Sequence, residues 1–145
     1  MTHAPDTPAD SYVLEEQIGF LLRKAYQRNS TIFLSLVPGN LTTTQFSVMR
    51  RIAVDGPMSQ NLLGRSVAMD GATTKGVVDR LVKRGLLATR RDPDDRRRHQ
   101  LSLTPEGEAL IAEAVAAAAQ VTADTLAPLS SGEKETLLRL LSRIT

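Results

Sequence analysis

The chain has no cysteine among its 145 residues, so it forms no disulfide, holds no thiolate metal site and senses no redox state through a thiol. Histidine is nearly as scarce. His3 and His99 are the only two, one in the N-terminal tail and one in a predicted strand, and two isolated imidazoles argue against a structural zinc site. Long apolar runs are missing as well: the longest, residues 114–119, falls far short of the ~20 residues that span a bilayer. The N-terminal stretch MTHAPDTPAD lacks the basic segment and apolar core of a secretory signal, so a cytoplasmic location is expected. Internal repeats are absent. Also absent are the parts of a catalytic centre. There is no cysteine nucleophile, no buried-looking histidine and no phosphate-cradling glycine loop, and the acids lie on polar faces. An enzyme, a cofactor carrier and a membrane protein are set aside on these grounds.

What is present is a concentration of charge. The net charge is only +2, yet residues 72–100 carry nine lysines and arginines against four acids, while residues 101–145 carry three against six and residues 1–71 balance. A basic middle segment is the expected electrostatic footprint on a polyanion; a solvated face is the blander alternative. The order of elements favours the polyanion. Residues 69–85 have the pattern of an amphipathic helix carrying Lys75, Arg80, Lys83 and Arg84 and closed by Gly85. Two short β-prone segments, residues 86–91 and 98–103, then flank an acid- and arginine-loaded turn at residues 92–97. A basic helix followed directly by a basic hairpin is the layout of a winged helix-turn-helix, in which one element enters a DNA major groove and the other reaches the adjacent minor groove.

The rest of the pattern is helical, so the expected fold is mainly α, with a small β-hairpin. Residues 1–10 read as a disordered tail and residues 11–145 as a single domain. From Ser11, apolar residues at three- and four-residue steps predict a helix of roughly 25 residues, ~38 Å long, that stops before Pro38-Gly39. Thr42 and Gln45 form a capping-box pattern. Ser59 and Asp70 are placed to cap the third and fourth helices, and Thr104-Pro105-Glu106 is a start signal for the fifth, which runs to about Leu126. Ser130 and Glu133 box the last helix. Residues 42–103 thus read as a DNA-binding lobe. The segments 11–37 and 104–145 read as dimerisation helices, because they carry more apolar stripe than one small lobe can bury. A helical adaptor would explain the end helices but not the basic centre.

Within the fourth helix, Ala72, Thr73, Lys75, Gly76 and Asp79 lie away from the face of Val77, Val78 and Leu81. Thr73, Thr74 and Lys75 are candidates for base edges and phosphates, and Ala72 and Lys83 are further DNA-binding candidates. The threonines serve equally well as a local cap. Gly76 weakens a helix by about 1 kcal/mol; either it lets the backbone approach DNA closely, or base specificity leans on the wing. Ser59, Gln60 and Asn61 at the start of the third helix are candidates for phosphate contacts.

Over nearly its whole length, from about Tyr12 to Ile144, the chain resembles the MarR family of bacterial transcriptional regulators. The most specific match is the wing, with Asp95, Arg97, Leu103, Thr104 and Gly107 at the family's spacing. The frame Asp70, Asp79-Arg80-Leu81 and Arg84-Gly85-Leu86 matches the recognition helix and its exit. The resemblance implies a homodimer that binds double-stranded DNA at a palindromic operator, with repression the commoner outcome. It places Arg97 in the narrow minor groove, with Asp95 orienting the basic side chains and Arg96 and Arg98 on phosphates. The alternative is that Asp95 and Arg97 simply close the hairpin. Many family members carry an arginine where this chain has Gly76. The family also implies a small aromatic or phenolic effector bound between the first, second and fifth helices. Tyr26, Asn29, Phe33, Phe46, Met49 and Arg50 are the candidates there, Arg50 as a bidentate carboxylate partner, with ordinary core packing the alternative for Phe33, Phe46 and Met49. The run from Met69 to Val77, with Gln27-Arg28 and Ile32-Phe33, is similar to the branch of the family that represses nicotinate and aromatic-acid catabolism, which implies a pyridine- or benzene-carboxylate effector.

Overall fold

The computed structural model describes residue 9 and residues 11–145. The disordered-tail reading of residues 1–10, Ala9 apart, and His3 with it, lie outside the described residues. A 3-10 turn, Leu14–Glu16, leads into α1 (Ile18–Leu36), α2 (Thr43–Asp55), α3 (Gln60–Ser66) and α4 (Gly71–Lys83). A hairpin follows, β1 (Leu87–Arg91) and β2 (His99–Leu103), and then α5 (Pro105–Thr125) and α6 (Ser131–Arg143). The strands pair antiparallel, Leu87 opposite Leu103 and Arg91 opposite His99.

The first helix is shorter than its periodicity predicts. Gln17 leaves the helical region at φ −88°, ψ 135°, and its side-chain amide donates to the Val13 carbonyl at 2.9 Å. With Val13, Leu14 and Ile18 all exposed, no packing holds this stretch in a continuous helix.

The other starts are set by local chemistry. Thr42 accepts from the Gln45 backbone N–H at 3.1 Å while Gln45 Oε1 accepts from the Thr42 N–H at 3.0 Å. Ser130 and Glu133 repeat that box at the head of α6. Asp70 Oδ1 accepts from the Thr73 N–H at 2.7 Å, and Ser59 from Leu62 at 3.3 Å. At the exit of α4, Gly85 sits at φ +73°. The Leu86 N–H reaches back to the Leu81 carbonyl, and the Gly85 N–H to that of Val82. These are the paired bonds of a Schellman stop, with Leu86 buried beneath it.

One continuous core joins the lobe to the long helices. Val48, Met49 and Ile52 of α2, Leu63 of α3, and Val77, Val78 and Leu81 of α4 pack with Leu87 and Leu101 of the hairpin and with Ile111 and Ala114 of α5. A third strand-like contact has no signal in the local sequence pattern: Met58 exchanges backbone bonds with Leu101, 3.2 and 2.8 Å, on the free edge of β2. α1 contributes Phe33, and α6 buries no residue. Among the described residues no helix is long and apolar enough to cross a membrane.

Candidate nucleic-acid interface

α4 is held against α3 by a close approach. A Cβ on Gly64 would stand 2.8 Å from Thr74 Oγ1, so glycine is what lets the two helices meet. Thr74, expected among the base-contacting residues, is buried at 1% exposure, and its hydroxyl donates to the Asp70 carbonyl at 2.7 Å. This corrects the expectation: the residue is the pin of the helix-turn-helix. Ala72, Thr73, Lys75, Asp79, Arg80 and Lys83 face solvent as expected. Lys75 Nζ lies 2.7 Å from Asp79 Oδ2, an exposed pair one turn apart.

Asp70 takes the N–H of Thr73 at the positive end of α4, and this backbone hydrogen bond holds its carboxyl below the usual aspartate range. Ser59 is spent as a cap on α3. Gln60 and Asn61 line a cleft of about 200 Å³ between α3 and α4, together with Arg65.

At the hairpin tip, two aspartates shape the backbone. Asp92 Oδ1 accepts from the Asp94 N–H at 2.9 Å, and Asp95 Oδ1 accepts from the Arg97 N–H at 3.0 Å. Asp95 Oδ2 lies 3.7 Å from Arg98 Nε, a loose exposed pair. Asp95 therefore orients Arg98 and the chain at Arg97, and not the Arg97 side chain. Arg96 and Arg97 are exposed and have no ion-pair partner among the described residues.

The base of the hairpin is clamped where Leu103, Thr104 and Gly107 stand. Thr104 Oγ1 donates to the Gly85 carbonyl at 2.6 Å and accepts from the Gly107 N–H at 3.0 Å. Its own N–H reaches the Leu86 carbonyl at 3.1 Å. A Cβ on Gly107 would stand 2.1 Å from that carbonyl oxygen. The wing is thereby locked to the exit of α4 and the head of α5. Arg84, counted in the basic run, is spent elsewhere: its guanidinium donates to the carbonyls of Gly39 and Asn40 in the α1–α2 loop.

The six effector candidates separate. Phe33 and Met49 are buried in the core, and Phe46 stacks edge-on against Phe33 at 5.3 Å between ring centroids. Arg50 is exposed and lines, with Phe46, a cleft of about 430 Å³ between α2 and the end of α3 that none of the other four candidates reaches. Tyr26 bonds through its hydroxyl to Thr43 of α2. Asn29 Nδ2 donates to Thr125 Oγ1 at 3.1 Å. Beside it Arg28, to which the sequence pattern gives no role of its own, donates to the Asp124 and Thr125 carbonyls at 2.8 and 3.1 Å and so caps the end of α5. The hydroxyl of Ser30, one residue on, is shielded from solvent and has no partner among the described residues.

Residues 41–99, which run from the head of α2 to the start of β2, match the model of the MarR family. Over 146 aligned residues the chain is 37% identical to the HTH-type transcriptional repressor NicR of Pseudomonas putida, covering 99% of this chain and 92% of that one. The crystal structure of a probable transcriptional regulator from Pseudomonas aeruginosa superposes with a TM-score of 0.87 at 49% identity, over 92% of this chain and 100% of that one. BpsR of Bordetella bronchiseptica, whose DNA binding is regulated by 6-hydroxynicotinic acid, superposes with a TM-score of 0.84 at 40% identity, over 92% of this chain and 96% of that one.

Proposed function

Because this chain belongs to the MarR family, we propose that it is a sequence-specific transcriptional repressor, bound as a homodimer to a palindromic operator and released by a small aromatic carboxylate. The observation that carries the reading is the hairpin tip. Two arginines, Arg96 and Arg97, project from a turn in which Asp92 and Asp95 are occupied with backbone N–H groups and Arg98. Unpaired guanidinium groups suit phosphates and the narrow minor groove. The exposed face of α4, with Thr73, Lys75, Arg80 and Lys83, is the element for the major groove, and Gln60 and Asn61 of α3 the contacts to the backbone. Residues 42–103 form the DNA lobe in this scheme, and residues 11–37 and 104–145 supply the dimer contacts.

For the effector, the similarity to BpsR supports a pyridine carboxylate. The junction of α1, α2 and α5 offers Tyr26, Asn29 and the unpartnered Ser30 hydroxyl, a set able to hold a ring hydroxyl or carboxylate by neutral hydrogen bonds. Binding there releases DNA if it breaks the ties that set α1 against α2 and α5, since those ties fix the lobe relative to the dimer helices.

The test is footprinting of the DNA upstream of its own gene at rising salt, repeated with 6-hydroxynicotinic acid. The expected result is protection of two half-sites about one helical turn, ~34 Å, apart. Affinity should fall steeply with salt as counterions are released, and the acid should abolish protection. Protection of a lone asymmetric half-site, or binding indifferent to salt, refutes the reading.

A further inference from the structure

Resting on the DNA-binding reading above, we infer that Gly76 determines specificity: the α4 backbone there comes up against the major-groove edge of one base pair, and the group it admits is a thymine methyl. With about 3.6 residues per turn, the buried side chains Thr74, Val77, Val78 and Leu81 define the inner face of α4. Gly76 falls opposite that face, on the outward line that runs through Ala72 and Lys83.

A glycine inside a helix costs stability, because it has the most backbone freedom to lose. Most other glycines around this lobe have a reason within the fold; Gly71, with no atom near its Cβ position, is the first residue of α4 and stands ahead of the helix interior, where the cost falls. A Cβ on Gly64 would crowd Thr74 and one on Gly107 would strike the Leu86 carbonyl, while Gly85 needs a positive φ. None of this holds at Gly76. Its φ is not positive, and beyond its chain neighbours and its own helix backbone no atom lies within 4 Å of where its Cβ would stand. Nothing inside the protein uses the missing side chain, so whatever uses it approaches from outside.

The neighbours narrow the chemistry. One turn earlier, Ala72 presents a single methyl group. Lys75 and Asp79 hold each other at 2.7 Å on one flank and Thr73 and Arg80 stand on the other, so the strip of Ala72 and Gly76 between them offers no hydrogen-bonding side chain of its own. Base edges in the major groove present hydrogen-bond donors and acceptors, which a hydrogen atom and a methyl group cannot answer. The apolar group that projects there is the C5-methyl of thymine.

The test compares the wild-type chain with Gly76→Ala on a duplex selected by the wild type from a random-sequence pool. Gly76→Ala should melt several degrees higher and bind that duplex about fivefold or more weakly. Replacing each thymine in turn by deoxyuridine should reveal one position per half-site where loss of the methyl weakens the wild type about threefold or more and leaves Gly76→Ala unaffected. A variant that binds as tightly as the wild type, or that melts lower, overturns the role of Gly76. Absence of any thymine coupled to the substitution overturns the methyl assignment. If the wild type selects no duplex at all, the DNA-binding reading itself falls, a result distinct from the other two.

Discussion

Asp95 and Arg97 stand two residues apart, which on paper reads as an acid steering an arginine. In the structure the carboxylate takes the backbone N–H of Arg97 and leaves its guanidinium free. This division of labour has a physical logic. An acid that neutralised Arg97 would halve the attraction of the tip for a polyanion, whereas one that bends the chain aims the arginine without touching its charge. Arg97→Ala should therefore leave the melting temperature unchanged, because no intramolecular partner is lost, while operator binding weakens by about 1 kcal/mol or more. A gel-shift titration with unchanged affinity would remove Arg97 from the interface. The contrast with Thr74 and Arg84 shows what residue types conceal. From the helix pattern alone Thr74 reads as a DNA contact and Arg84 as part of the basic run, and both are spent on the fold, one under Gly64 and the other on the α1–α2 loop. Their partners are distant in the chain or set by how two helices meet, so no local pattern announces them.

Elements begin where a side chain replaces the missing partners of the first turn, and that is local enough to read. Thr42, Ser59, Asp70, Thr104 and Ser130 were all legible as caps, and each is bonded as its spacing requires. Asp70 carries a measurable consequence. Its folded carboxyl titrates below the ordinary aspartate value, chiefly through the Thr73 N–H. A lowered folded value means that its contribution to α4 is complete above the unfolded value of about 3.9. The contribution is lost as the pH falls through the lower, folded value. Asp70→Asn keeps an acceptor for the Thr73 N–H but cannot be protonated there. Thermal melts from neutral pH downward should run parallel for the two proteins until the carboxylate range. Below it the wild type should lose more stability than the variant, and identical acid limbs would contradict the capping role. Where elements deviate, the cause is tertiary. The periodicity that predicts one long first helix has no means of registering that Val13 and Leu14 stay exposed. Likewise the bridge from Met58 to Leu101 joins residues too far apart in sequence for any turn signal to mark.

At the scale of the whole molecule, the core and the ends obey different accounts. The lobe and α5 share a packed interior, yet α6 buries no residue, and Ile18 and Ile144 are 61% and 66% exposed. These two residues line one open cleft of about 360 Å³ with Leu137, Leu140, Leu141 and Arg143, so the start of α1 and the last turn of α6 form a single, mostly apolar surface. A surface of this kind calls for a partner, and a second copy brings the same surface in a self-complementary arrangement. The wild type should accordingly scatter light as a dimer at micromolar concentration. Leu137→Glu combined with Leu140→Glu should yield a monomer with its helical circular dichroism retained, because neither side chain belongs to the core of the lobe. The same variant should lose operator affinity by ~10²-fold or more, since the second half-site is then no longer engaged at the high effective concentration that pairing provides. A wild-type monomer would break the link between the exposed helices and a two-fold assembly. A double variant that stays dimeric would move the interface to another face of the molecule.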